Sequence, residues 1–271
     1  MFFMKNKTVL ACALCATMVG SMFSFQFFIK GNSAPNYDYS SEENSSSYKI
    51  YSPEDFTDIS KSVSNAKKDS QILFIVDFSN SMNETIMGKT KLDMARNTLA
   101  EILPKIPPNI KTGLRVYGHK AGFTYLQGCQ ASNLTVPINS SNYQEILASL
   151  YRTNATGWTP ITYSLKQAIN NDFNGLSGKK HIILLTDGGE NCDESPCTYV
   201  INLMKTRNDV KIDVIAFDIQ DIEANNQLRC TALMTSGKFL SAQTESDLSN
   251  SLFETVGINK DVKGNIKFPQ E

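Results

Sequence analysis

The chain is 271 residues long, and with 41% hydrophobic and 20% charged residues it can bury one sizeable core. Its formal net charge of −1 offers no electrostatic attraction for nucleic acid. The sequence also contains no basic run or aromatic platform of the kind that binds nucleic acids. We therefore expect no nucleic-acid partner.

The first predicted element is an apolar segment, Val9–Ile29, which follows Lys5 and Lys7. At about 1.5 Å per residue, a helix of this length could cross most of the hydrocarbon core of a bilayer. It is longer than the apolar region of a typical signal peptide, and no clear cleavage site follows it. Residues 1–30 are therefore predicted to be an export signal, either a cleaved signal peptide or, slightly favoured, an uncleaved membrane anchor. The two lysines would keep the amino end in the cytoplasm and place the rest outside.

Residues 31–70 and 258–271 have the composition of solvated segments. The first is rich in serine, carries scattered acidic residues and has few large apolar groups, which predicts a polar linker. Apolar residues at helical spacing in its second half would suit a short helix. The second is predicted to be a polar C-terminal tail. We therefore place one folded domain between them, at residues 71–257.

From residue 71 onward, short apolar segments alternate with segments of helical periodicity. The predicted strands are Ile72–Val76, Gly113–Tyr117, Asn133–Ile138, His181–Thr186, Val210–Phe217 and Lys238–Ser241. The predicted helices are 92–102, a helix that begins near Pro160, 198–206, 222–234, and a last helix with Thr244 and Asp247 as its capping box. This alternation predicts an α/β fold with a doubly wound, mostly parallel sheet flanked by helices. Asn133–Ile138 is predicted to be its one antiparallel edge strand.

Four cysteines lie in the predicted domain, Cys129, Cys192, Cys197 and Cys230. An even number in an exported chain suggests two disulfides, for which three pairings exist. Cys192–Cys197 is the preferred pair because the Asp-Glu-Ser-Pro segment between them is typical of a turn. A zinc site is the alternative, although the spacings match no common zinc pattern.

Three segments with oxygen-bearing side chains lie next to predicted elements. Asp77, Ser79 and Ser81 follow the first strand, Thr159 precedes a helix, and Asp187 follows the fourth strand. Hard oxygen ligands at the carboxyl ends of buried strands suggest a hard divalent cation. Each segment alone also has a simpler interpretation, because Asp and Ser are common in turns and Thr159 could be the N-cap of its helix.

Together and in this order, the three segments resemble the metal-ion-dependent adhesion site (MIDAS) of von Willebrand factor A (vWA) domains. The family pattern is D-x-S-x-S, then a Thr, then an Asp, and the five residues named above match every position. The resemblance covers roughly residues 71–257 and implies the Rossmann-like vWA fold. Finer similarity, in V-Y-G-H at 116–119 and T-D-G-G-E-N-C at 186–192, points to bacterial exported vWA proteins that are similar to calcium-activated chloride channel proteins.

The resemblance also implies how the site would bind its ion. Ser79, Ser81 and Thr159 would coordinate directly through their hydroxyls, and Asp77 and Asp187 partly through water. The ion would be Mg²⁺, with Ca²⁺ and Mn²⁺ as alternatives. An acidic side chain supplied by a partner protein would then complete the coordination shell.

The expected function is therefore a metal-dependent protein-binding module for adhesion or assembly, and not an enzyme. Trp158 and Glu190 are candidates for partner contacts, although Trp158 could equally pack against a neighbouring loop. The module would lie in the periplasm or outside the cell, and would contact the membrane through residues 1–30 if these are uncleaved. One alternative is a structural component of an envelope complex with a stabilising metal. A metal-assisted hydrolase with His119 as base is less favoured, since the sequence lacks G-x-S-x-G, H-E-x-x-H and G-x-x-x-x-G-K.

Overall fold

The structure is a computed structural model that describes residues 70–258. The predicted export signal, nearly all of the linker and nearly all of the tail lie outside this range. The strands are β1 (Gln71–Asp77), β2 (Thr85–Ile86), β3 (Lys89–Thr90), β4 (Lys111–Tyr117), β5 (Ser132–Asn139), β6 (Lys180–Thr186), β7 (Val210–Phe217) and β8 (Phe239–Ala242). The helices are α1 (Lys91–Ile102), α2 (Tyr125–Gly128), α3 (Tyr143–Arg152), α4 (Ile161–Gln167), α5 (Pro196–Leu203), α6 (Ile222–Met234) and α7 (Glu245–Val256).

The main sheet has six strands in the order β5–β4–β1–β6–β7–β8. All neighbouring pairs are parallel except β4 and β5, which are antiparallel, so β5 is the antiparallel edge strand that the sequence predicts. The strands β2 and β3 form a separate two-stranded antiparallel hairpin. The predicted fold class, a doubly wound and mostly parallel sheet with flanking helices, is therefore confirmed. In the described part of the chain, no helix is both long enough and apolar enough to span a bilayer.

Strand β1 is buried on both faces because it occupies the middle of the sheet, and its side chains alternate between two apolar cores. Ile72, Phe74 and Val76 pack into the core that contains apolar residues of α1, α3 and α7. Leu73 and Ile75 pack into the core that contains apolar residues of α4, α5 and α6. The five apolar residues of the predicted strand thus anchor both layers of helices.

Most of the predicted elements are found within one or two residues of their expected bounds, and Val210–Phe217 and the 222–234 helix agree at both ends. The helix predicted at 198–206 begins earlier, because Ser195 caps it and Pro196 occupies its first turn. The sequence analysis missed α3, in which only Ile146 and Leu150 are buried. Two apolar positions one turn apart are too few to define a helical period in the sequence.

The capping box predicted from the sequence is present at the start of α7, and its contribution to stability can be measured. The Thr244 hydroxyl accepts a hydrogen bond from the Asp247 amide at 3.2 Å, and the Asp247 carboxylate accepts one from the Thr244 amide at 3.0 Å. We expect Thr244→Ala to lower the free energy of unfolding by about 1 kcal/mol, because it leaves an amide of the first turn unpaired. Urea denaturation measures this change. Thr244→Ser keeps the hydroxyl and is the control, so an equal loss in both variants would contradict the capping role.

Candidate metal site

Two neighbouring strands bring the predicted site residues to one edge of the sheet. β1 ends at Asp77, β6 ends at Thr186, and the two strands pair in parallel with Val76 opposite Leu185. Because parallel strands share an edge for their carboxyl ends, Asp77 and Asp187 emerge side by side. The Thr186 hydroxyl bridges the two strands by donating a hydrogen bond to Asp77 Oδ2 at 2.8 Å.

The Asp77 carboxylate is completely buried and is held by three donors. The Ser79 amide donates to Oδ1 at 2.6 Å, and the hydroxyls of Tyr117 and Thr186 donate to Oδ2 at 3.0 Å and 2.8 Å. Burial raises the pKa of Asp77 to about 7, and the nearby charge of Asp187 contributes to the rise. The carboxylate is thus fixed in position, but its negative charge is unfavourable without a cation.

The hydroxyls of the D-F-S-N-S segment lie against Asp187. Ser79 Oγ and Ser81 Oγ are 3.0 Å apart, and the Ser81 hydroxyl donates to Asp187 Oδ1 at 2.8 Å. Burial raises the pKa of Asp187, although the hydrogen bond from Ser81 and the charge of Lys91 oppose the rise. A continuous chain of hydrogen bonds therefore joins four of the five predicted ligands, in the order Asp77, Ser79, Ser81 and Asp187.

Thr159 lies on a different loop and lines the same groove as Ser81 and Asp187. The Gly157 amide donates to the Gly118 carbonyl at 2.6 Å, and residues 79 and 157 form a single parallel bridge. The Thr159 amide donates to Asn191 Oδ1 at 2.7 Å, which ties this loop to the one that carries Asp187. Helix α4 begins at Ile161 and is preceded by Pro160 as its N-cap, so the simpler interpretation of Thr159 as the cap is wrong.

Lys91 is a component of the site that the sequence analysis missed. Its ammonium lies 2.7 Å from Glu84, 3.2 Å from Asp187 and 3.4 Å from Asp218, and its side chain is 5% exposed. Burial alone would lower the pKa of Lys91, but the hydrogen bonds from its ammonium to Glu84 and Asp187 outweigh burial and raise it. Lys91 is the first residue of α1. The only feature of the sequence that could have indicated its role is that a basic residue begins the helix that follows D-x-S-x-S.

The available donors fit a hard divalent cation. The predicted set consists of three hydroxyls and two carboxylates, and oxygen ligands of this kind suit Mg²⁺, Ca²⁺ or Mn²⁺. Among residues 70–258 there is no group of three or more His, Cys, Asp or Glu side chains with the geometry of a metal site. The four cysteines within residues 70–258 all form disulfides, so the zinc alternative for these cysteines is wrong.

Comparison with known proteins shows what kind of domain carries this site. The model of the von Willebrand factor type A domain matches residues 71–255, which is well over half of the chain. The chain belongs to the vWA family. Domains of this family commonly act as metal-dependent protein-interaction modules, with a divalent metal at the MIDAS.

Two relatives come from Bacillus subtilis (strain 168), and both are uncharacterized proteins. YwmC is 29% identical over 193 residues, which cover 69% of this chain and 83% of YwmC. YwmD is 27% identical over 192 residues, with 68% and 83% of the two chains covered.

Solved structures share the vWA fold at lower identity. The SpRpn10 VWA domain superposes with a TM-score of 0.56 at 13% identity and covers 70% of this chain and 98% of that one. Proximal thread matrix protein 1 from the mussel byssus gives a TM-score of 0.53 at 19% identity, and the match covers 69% of this chain but only 45% of the mussel protein. That mussel protein has also been solved with a zinc-occupied MIDAS motif.

The two disulfides of this vWA domain differ from the preferred pairing. They join Cys129 to Cys192 and Cys197 to Cys230, so the preference for Cys192–Cys197 is wrong. Because α5 begins at Pro196, Cys197 lies in a helix that packs against α6, which carries Cys230. Cys192 stays in the loop after β6 and meets the residue that follows α2. Disulfides of this kind indicate an oxidising environment.

The remaining candidates occupy different surroundings. Trp158 makes an edge-to-face contact with Tyr125, which confirms that it packs against a neighbouring loop. It is also 40% exposed, and its contact with a partner stays a prediction. The Glu190 carboxylate accepts hydrogen bonds from the amides of Thr162 and Cys192, at 2.7 Å and 3.0 Å, and so holds its own loop. Within residues 70–258, neither ring nitrogen of His119 has a hydrogen-bond partner, and both are shielded from solvent.

The pH dependence of stability follows from the buried carboxylate. In the presence of a chelator, unfolded Asp77 loses its proton near its ordinary pKa of 3.8, whereas the folded chain keeps the proton until about pH 7. The folded state thus binds more protons in this interval, so the free energy of unfolding should fall as the pH rises through it. Urea denaturation in EDTA at several pH values measures the slope. Asp77→Asn should flatten the slope, and an unchanged slope in this variant would contradict the assignment.

Matched double variants test whether the Cys129–Cys192 bridge orders the site. It closes a 63-residue separation and the other bridge a 33-residue one, so removing either should cost about 2–4 kcal/mol. We expect Cys129→Ser with Cys192→Ser also to weaken Mg²⁺ binding, because Cys192 follows the residue that orients Thr159. Cys197→Ser with Cys230→Ser should lose similar stability and keep its Mg²⁺ affinity. Calorimetric titration compares them, and equal affinities in the two variants would rule out the effect.

Proposed function

We propose that this vWA domain is a metal-dependent protein-binding module on the exported side of a membrane. The observation that carries the proposal is the convergence of Asp77, Ser79, Ser81, Thr159 and Asp187 at one open edge of the sheet. These five side chains are the proposed ligands, Mg²⁺ is the proposed ion, and Ca²⁺ or Mn²⁺ remain alternatives. The bound ion would supply a Lewis-acidic coordination position for a carboxylate.

The charges around the site support a carboxylate as the partner group. Ser79, Ser81 and Thr159 contribute neutral hydroxyls, and the charge of Asp187 is already shared with the ammonium of Lys91. Asp77 is the other charged member of the set, so the five proposed ligands together provide less negative charge than a divalent ion carries, and an acidic side chain from outside would balance it. Ser81, Thr159 and Asp187 line an open groove of about 510 Å³, which gives such a side chain a route to the site.

The proposed location is the periplasm or the cell exterior. The two disulfides support an oxidising compartment, and the apolar Val9–Ile29 segment supports export, with anchoring if it is not cleaved. Residues 31–70 would then act as a spacer between the membrane and the domain. The polar tail at 258–271 receives no role in this proposal.

A second candidate function is a structural component of an envelope complex whose metal stabilises the loops. The observation that favours it is the unfavourable burial of Asp77, because any cation that binds there also stabilises the fold. Melting curves with and without Mg²⁺ would show a large shift under either function. Partner capture separates them, since only the binding module requires the ion for capture.

We propose no catalytic activity. His119 is the candidate base from the sequence analysis, and its shielded ring nitrogens do not face water or a partner group in the described part of the chain. Burial, together with the charge of Lys120, lowers the pKa of His119.

Affinity capture tests the binding function. The full chain, purified in detergent, serves as bait for detergent-solubilised membranes in Mg²⁺ or in EDTA. We expect a partner to be retained by the wild-type chain in Mg²⁺ and lost in EDTA. Asp77→Asn should lose it too, because disturbing such a site lowers metal affinity by about 10- to 100-fold. Mass spectrometry identifies the retained proteins.

Asp209→Asn is the matched control, because Asp209 lies before β7 at the opposite edge of the sheet, where its carboxylate pairs with Lys180 and Arg207. This variant should capture the partner as the wild-type chain does. Circular dichroism verifies that both variants fold. Equal capture by the wild-type chain in Mg²⁺ and in EDTA would overturn the binding function.

A further inference from the structure

An exposed apolar surface lies beside the proposed metal site. It consists of Phe123, Tyr125, Leu126 and Trp158, and we call it the apolar ledge. The exposed fractions of these side chains are 102%, 43%, 64% and 40%, respectively. Large apolar side chains that cluster at the surface next to a functional site are typical of a protein–protein contact.

Two members of the ledge, Tyr125 and Trp158, are held in place by contacts that reach the loop after β6. The rings of Tyr125 and Trp158 meet edge to face with centroids 5.3 Å apart, and the Tyr125 hydroxyl donates to Asp193 at 2.8 Å. The Trp158 indole lies so close to Gly128 that any side chain at this position would collide with the indole ring. The Cys129–Cys192 bridge closes the same contact covalently. Rigid aromatic groups lose little entropy when a partner binds, which favours their use as anchors.

A negatively charged surface lies beyond the site, on the side of β7. Glu84, Asp218, Asp221 and Glu223 line the groove that Ser81, Thr159 and Asp187 also line, and we call these four residues the acidic wall. One cation, Lys91, pairs with both Glu84 and Asp218. Because it carries a single positive charge, the four carboxylates of the wall keep a net negative charge. Asp221 and Glu223 belong to the exposed start of α6.

The metal site adjoins both surfaces, through two different ligands. Thr159 directly follows Trp158 of the ledge, whereas Asp187 shares the ammonium of Lys91 with Asp218 of the wall. A peptide whose acidic residue reaches the site would therefore place its neighbouring residues next to the ledge and the wall.

We propose that the domain recognises an extended segment of a partner protein in which one acidic residue has a large apolar residue on one side and a Lys or Arg on the other. The acidic residue reaches the metal site, the apolar residue packs on the ledge, and the basic residue pairs with the acidic wall. This inference rests on the proposed function and adds the sequence of the partner segment. Charge complementarity supports it, because the ion site attracts the anion and the wall attracts the cation.

A selection from random peptides tests the proposal without knowing the partner. The full chain is immobilised in detergent and exposed to a library of random displayed heptapeptides in Mg²⁺, and bound peptides are released with EDTA. We expect enrichment of Asp or Glu, with large apolar residues on one side within two positions and Lys or Arg on the other. Enrichment of an acidic residue with no bias at its flanks would overturn this inference and leave the proposed function in place. No acidic enrichment at all would overturn both.

Variants then locate each contact. Selected peptides are synthesised and their dissociation constants measured by fluorescence anisotropy. Leu126→Ser should weaken binding about tenfold, because it removes an anchor of the ledge. Leu233→Ser is the matched control, since Leu233 is 59% exposed near the far end of α6. Unchanged affinity for Leu126→Ser would overturn the role of the ledge.

The acidic wall has its own pair of variants. Glu223→Gln should weaken binding about two- to threefold at low salt, and the difference should shrink as salt is added, because the pair is exposed to solvent. Glu145→Gln, on the exposed side of α3, is the control and should have no effect. A peptide whose basic residue is replaced by Gln should bind the wild-type chain and Glu223→Gln equally. A persistent difference with that peptide would contradict the pairing.

Discussion

The buried carboxylate of Asp77 is the constraint on which the rest of the structure depends. It stands at the end of the central strand and accepts hydrogen bonds from a loop amide and from hydroxyls on both neighbouring strands. A buried charge of this kind is unfavourable unless the surrounding polar groups or a cation compensate it. The strand ends, the D-F-S-N-S loop and the ionisation of the site are therefore coupled through one side chain.

The charge distribution around Asp77 determines what the site can bind. Lys91 is buried among three carboxylates and shares the charge of Asp187, so the ligands that remain for a metal are mostly neutral hydroxyls. In the function we propose, such a site accepts an additional anion. The apolar ledge and the acidic wall would then distinguish one acidic segment from another, because they would add contacts on both sides of the anion.

The disulfides serve the two halves of the domain differently. Cys197–Cys230 joins two packed helices, whereas Cys129–Cys192 joins two loops at the functional edge of the sheet. The Cys129–Cys192 bridge fixes the loop that contains Asn191, whose side chain accepts a hydrogen bond from the Thr159 amide. A loop-rich site thereby keeps a defined shape although few of its residues belong to regular elements.

The fold class, the six strands of the main sheet and most helices could be predicted from the sequence alone, which also supplied the five residues of the candidate site as a prediction. These signals are local, because buried strands, capping boxes and D-x-S-x-S are each written within a few residues. Only the tertiary structure decided the disulfide pairing, the position of Lys91 among its carboxylates and the apolar ledge. Each of these depends on residues far apart in the chain, as with the 63-residue separation of Cys129 and Cys192. Spacing along a sequence carries no information about which distant loops the packing of a sheet brings into contact.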